Sequence, residues 1–91
     1  MVMTREKIEQ VMAEQNPHAL LADGFDEAFI GFARRCGEPT LAVYDIDLCV
    51  KVLMERDGMT EEDAWEYLEF NSIGAWVGKH TPVWLQKTKG E

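Results

Sequence analysis

Few side chains in this sequence are spaced for chemistry. Asp23, Asp26 and Glu27 flank Gly24, and three carboxylates at one turn could hold a cation or share acid–base work. Turns carry such acids as a matter of course, so the plain turn is the preferred reading. Asp45-x-Asp47 opens like a calcium loop, but that loop needs Gly at its sixth position and Glu at its twelfth. Here those positions hold Val50 and Arg56, and helix capping accounts for both acids better. His18 and His80 are the only histidines, and neither has a second ligand at helical spacing. Cys36 or Cys49 with His80 is the one route to nucleophilic catalysis, and no spacing supports it. Gly74-x-x-x-Gly78 lacks the Lys and Ser/Thr of a phosphate loop and reads as a place where two backbones approach. The expectation is a protein with no cofactor, no metal and no catalytic residue, and not an enzyme.

The richest stretch is 57–78, DGMTEEDAWEYLEFNSIGAWVG. It joins a helix start to a run of acids and two tryptophans, which suits a surface that binds better than a pocket that transforms. The candidate interaction surface is Glu61, Glu62, Glu66, Tyr67, Glu69, Trp76 and Trp84. Most of the aromatics Trp65, Tyr67, Phe70, Trp76 and Trp84 are needed to fill a small core. Tyr67, Trp76 or Trp84 is expected to stay outside as an anchor. The helices on either side of 57–60 resemble a helix-turn-helix in outline. The second of them would push five carboxylates at a phosphate backbone, which excludes major-groove docking.

These residues must be positioned by a fold of the α+β class. Thr4 caps a first helix with Ile8, Val11 and Met12 on its apolar face, and Asn16-Pro17 ends it. The same pair starts a short helix over 18–23, HALLAD, closed by a left-handed turn at Gly24. Residues 25–36 fit either a helical stripe (Phe25, Phe29, Phe32, Ala33, Cys36) or the first arm of a hairpin. The β-rich run TLAVY needs a neighbour, so a β-hairpin over about 28–35 and 40–45 is preferred, with Gly31 a bulge or a close approach. Asp45 or Asp47 caps the next helix. Ile46, Cys49, Val50 and Leu53 form its buried stripe, widened by Val52 and Met54, and Asp57-Gly58 stops it. Thr60, with Asp63 three residues on, starts another. Its inner face is Ala64, Trp65, Leu68 and Ser72, and it fades near Ile73-Gly74. A candidate third strand lies at 82–86, and 86–91 is expected to fray. The sheet is therefore packed against two long and one or two short helices.

Ninety-one residues make a single domain, 1–91, whose 46% hydrophobic and 29% charged composition is that of a globular chain. No apolar run reaches the length of a membrane span, and the N-terminus lacks the apolar centre of a signal peptide. Cys36 and Cys49 read as reduced packing residues. A bridge between them requires their segments to lie side by side. The net charge of −8 argues against direct nucleic-acid binding. The acids gather between Glu38 and Glu69, where only Lys51 and Arg56 oppose them. Such asymmetry can steer a basic partner to one side, although a solvated helix face is the preferred reading.

The segments ADGFDEAFIG, VYDIDLC, and FNSIGAWVG followed by HTP resemble a family of small acidic proteins that recur in phage and prophage genomes. The resemblance spans about Asn16 to Leu85. It brings no established activity, cofactor or site residue. It implies a bacterial host's cytoplasm, and small proteins of that origin often act stoichiometrically on a host protein. The leading expectation is therefore an accessory factor that binds a host protein through its acidic helix face and exposed aromatics. One alternative is a nucleic-acid mimic that blocks a DNA- or RNA-binding enzyme. Another is a small enzyme or metal-binding protein with an unrecognised site. No membrane partner is expected. A homodimer, through an exposed strand edge or a Trp76/Trp84 patch, is expected in preference to a monomer.

Overall fold

The first helix, α1 (Arg5–Gln15), starts where the Thr4 hydroxyl accepts from the Lys7 backbone N–H at 3.2 Å. It buries Ile8 and Met12 and stops at Asn16. The computed structural model to which α1 belongs describes residues 3–88. The helix expected over 18–23 does not form. The Asn16 side chain accepts from His18 N–H, and Ala19 N–H turns back to the Asn16 carbonyl. Beyond that turn, Leu20 N–H donates to the His80 carbonyl and Ala22 N–H to the Tyr44 hydroxyl. Donors a helix would use internally are spent on distant groups. Gly24 does take the left-handed turn (φ 84°), and a 3₁₀ turn at Asp26–Ala28 follows.

The hairpin is formed by β1 (Phe29–Ala33) and β2 (Leu41–Asp45), antiparallel. Both strands are shorter than the sequence suggests. Arg34 and Arg35 belong to the connecting turn, which closes by Glu38 N–H to the Arg35 carbonyl. The register slips between Phe29 and Gly31, so the expected irregularity at Gly31 is a β-bulge.

At its other end β2 passes straight into α2 (Ile46–Asp57). Asp45 is both the last strand residue and the N-cap, accepting from Asp47 and Leu48 N–H at 2.9 and 3.3 Å. Of the expected stripe Ile46, Cys49, Val50, Val52 and Leu53 are buried, whereas Met54 is 40% exposed. Gly58 (φ 70°) ends the helix in the left-handed region. Thr60 caps α3 (Glu61–Leu68) by accepting from Asp63 N–H at 3.1 Å. Beyond Leu68 the coil widens into a π turn, Glu69–Ile73. Gly74 N–H returns to the Glu69 carbonyl, and a Cβ on Gly74 would sit 2.5 Å from that oxygen. Only glycine can close the turn this way.

The third strand, β3 (Val83–Leu85), pairs with the free side of β2, giving the order β1-β2-β3. It runs parallel to β2, which is possible because the whole of α2, α3 and the following loop form the crossover. Tyr44 in the central strand is fully buried and is the hub of the aromatic packing. Its ring lies 5.4 Å from Trp84 and 5.7 Å from Phe29, and Phe25 meets Trp84 edge-on at 6.5 Å. The tail is not wholly loose, since Lys87 Nζ reaches Asp45 at 3.1 Å. The rest of the expected frayed segment, 89–91, lies outside the described residues. Among the described residues no helix is long and apolar enough to cross a membrane.

Candidate interaction surface

The outer face of α3 carries Asp63, Glu66, Tyr67 and Phe70 at i, i+3, i+4 and i+7, one stripe of a helix. With Met59 and Asn71 they line an open groove of about 430 Å³. Ala64 and Leu68 hold the opposite face in the core. Phe70 is 80% exposed, on the side of the helix axis away from Ala64 and Leu68. Among the described residues none of Glu61, Glu62, Asp63, Glu66 and Glu69 is paired with a cation. The groove is thus a pair of rings rimmed by uncompensated carboxylates.

The surface expected from sequence is only partly assembled. Glu66 and Tyr67 share this groove, and Glu62 and Glu69 are exposed on the same helix and its extension. Glu61 lines a different groove, with Trp65, Lys51 and Lys87, on the side of α3 that faces α2. Trp76 stands apart on the following loop, 76% exposed beside Val77 at 62%. Trp84 is not a surface anchor. It is half-buried against Tyr44 and Phe25, and its Nε1 is buried with no hydrogen-bond acceptor. Sequence reasoning missed Asp63 and Phe70 as surface residues, although the i, i+3, i+4, i+7 spacing links them to Glu66 and Tyr67.

A second groove of about 430 Å³ lies between the 20–25 segment and the π turn. Trp84 and Phe25 form part of it, with Leu20 and Val77 at its sides, and Tyr67 and Asn71 border both grooves. The rings therefore continue from the acidic helix face toward the aromatic centre of the fold.

The residues considered for chemistry are engaged elsewhere. Arg5 Nη1 lies 3.1 Å from Asp23 and 3.7 Å from Asp26, while its Nε meets Glu9 at 3.2 Å. The acids at the Gly24 turn thereby clip that turn to α1. Among the described residues no group of three or more His, Cys, Asp or Glu side chains is placed to hold a metal ion. His18 and His80 do come together, with ring centres 5.8 Å apart. The Asn16 amide ties His80 to the end of α1. Its oxygen must accept from His18 N–H, so its nitrogen donates to the Thr40 carbonyl at 2.8 Å and to His80 Nδ1 at 3.1 Å. Cys49 is buried in the core, and burial, with Asp45 nearby, pushes its thiol up to about 12. It is a thiol, not a thiolate, at neutral pH. Cys36 is exposed at the hairpin turn, contrary to its expected packing role, and both cysteines are free, so the conceivable bridge is not made.

No family model, curated protein or solved structure matches this chain. The α+β fold, with its mixed three-stranded sheet, and the acidic, ring-bearing face of α3 are what characterise it.

Proposed function

We propose that this chain acts by binding a host protein, in the cytoplasm of a bacterium, through the groove on α3. The observation that carries the reading is the juxtaposition of Phe70, 80% exposed, with Tyr67 and the unpaired carboxylates of Asp63 and Glu66. Exposing a phenyl ring that no structural contact rewards is a cost that a partner removes. The carboxylates select the partner's sign, so its contact segment carries Lys or Arg next to apolar side chains. The phage and prophage resemblance supplies the setting and is part of the proposal. Mimicry of nucleic acid is the weaker reading: Glu61 lies on another side of α3, and the rings of Tyr67 and Phe70 interrupt the acids. A phosphate mimic calls for an unbroken charged line.

The test is affinity capture from bacterial lysate with the native chain beside Phe70→Ser and Glu66→Lys, at low and moderate salt. The expected result is one basic partner held by the native chain at both salts and lost from both variants. Capture that is unchanged in the variants, or no specific partner at either salt, overturns the proposal. Binding that persists in Phe70→Ser but collapses with salt supports the mimic instead.

A further inference from the structure

We infer that β1 is a self-association edge, on which a second copy of this chain pairs antiparallel through its own β1. As the outermost strand of the sheet, β1 hydrogen-bonds on one side only. Its free side is a template for another strand. Ile30 and Phe32 on it are 45% and 37% exposed, and a Cβ built on Gly31 would meet nothing within 4 Å.

The occupant follows from the sequence around this edge, DEAFI-GFARR over 26–35. Laid against itself in reverse, it matches over the strand and at Glu27 and Arg34. Glu27 faces Arg34 of the second copy, while Asp26 is already held by Arg5. Phe29 faces Phe32, and Ile30 faces the empty space at Gly31, while Ala28 is buried in the core and takes no part. Both arginines and Glu27 are exposed and make no ion pair among the described residues. In a chain of net charge −8, two adjacent unpaired arginines beside exposed apolar residues are conspicuous. The unpaired acid that answers Arg34, Glu27, lies at the other end of the same edge.

Geometry supplies an independent check. In a twofold antiparallel pair, facing residues must project from the same side of the sheet. Residues three apart in a regular strand, such as Phe29 and Phe32, project from opposite sides, which forbids this register. The bulge removes the obstacle. Phe29 stands opposite Tyr44 and Phe32 opposite Ala42. Tyr44 and Ala42 are two apart and share a face, so Phe29 and Phe32 share it too. The extra residue in β1 gives the parity that the charge pattern requires. Residues 26–28 form a 3₁₀ turn, so Glu27 contributes side-chain charge and not ladder hydrogen bonds. The product is a six-stranded sheet, β3-β2-β1 continued by β1-β2-β3 of the second copy, on a surface separate from the α3 groove.

The experiment is sedimentation equilibrium over a dilution series, with four chains beside the native one: Arg34→Glu, Glu27→Arg, the double variant carrying both, and Trp76→Ser. Thermal melts of each confirm that these exposed positions leave the fold intact. The native chain should approach twice its mass of 10.4 kDa on concentration. Each single charge change sets like charges opposite each other twice over by symmetry and should weaken dimerisation about tenfold. The double variant should restore native affinity, and Trp76→Ser should match the native chain. A native chain monomeric at the highest attainable concentration overturns the inference. So does a double variant that stays as weak as the singles, or a dimer lost only in Trp76→Ser.

Discussion

Replacing Asp45 tests the junction on which the fold turns. Its carboxylate is 1% exposed, ends β2, caps α2 and meets Lys87 at 3.1 Å. Asp45→Ala removes the cap, which costs about 1 kcal/mol, and a charge at the positive end of the helix dipole in a buried setting, up to about 2 kcal/mol. The Lys87 contact adds little. The lysine side chain is 64% exposed, so solvent screens the pair and about 0.5 kcal/mol is the appropriate scale. The sum is roughly 2–4 kcal/mol, a fall of roughly 10–25 °C in Tm for a chain of this size. Asp45→Asn keeps an oxygen for the Asp47 and Leu48 N–H groups and loses only the charge, so it should cost about half as much. Urea melts of both variants, with and without Lys87→Met, measure each part. A Lys87–Asp45 coupling above about 2 kcal/mol would refute the screening argument. An Asp45→Asn as damaging as Asp45→Ala would refute the capping argument.

Cys49 makes the fold sensitive to alkali. Its thiol is held at about 12 against an ordinary 9.0, so the folded chain keeps a proton that the unfolded chain releases. That contribution is fully present below pH 9 and is lost as pH rises toward 12, reaching about 1.4 kcal/mol at pH 10. Burial also raises Tyr44, which adds to the loss in the same direction. Urea midpoints between pH 8 and 10 should fall more steeply for the native chain than for Cys49→Ala, and parallel profiles would refute this. With a thiol reagent at pH 8, Cys36 should react at once and Cys49 only on unfolding. Tyr44→Phe takes the acceptor from Ala22 N–H and should cost about 1–3 kcal/mol by chemical denaturation. No loss would mean that this N–H finds water. Gly74→Ala puts a methyl against the Glu69 carbonyl and should cost about 1–3 kcal/mol, visible as a lower Tm. An unchanged Tm would show that the π turn yields freely.

Much of this architecture is legible in the sequence because local chemistry decides it. Thr4 and Thr60 announce helix starts through hydroxyls that bond three residues on, and Gly58 announces a stop through its left-handed φ. Gly31 marks the bulge for the same reason of backbone freedom. What is illegible depends on partners far along the chain. Residues 18–23 look helical until the His80 carbonyl and Tyr44 hydroxyl take their N–H groups. A three-residue run such as Val83–Leu85 shows β preference but not direction. On the candidate surface, Tyr67 and Glu66 can be read from helical spacing. Phe70 stands at the same spacing and can be read with them; it is passed over because rings usually fill the core of a small domain. Trp84 fails in the opposite sense, because the neighbours that cover it, Tyr44 and Phe25, are remote in sequence.

The parallel pairing of β3 with β2 also sets an order of events in folding. The hairpin and α2 close over short stretches of chain, whereas β3 can join only after α2, α3 and the loop behind them have swung it back across the sheet. Closing that long loop is entropically the dearest step and comes last. Trp84 rides on the late strand and comes to rest against Tyr44. With Trp65 and Trp76 replaced by Phe, its emission should time the final closure, while amide signals from the hairpin report the earlier one.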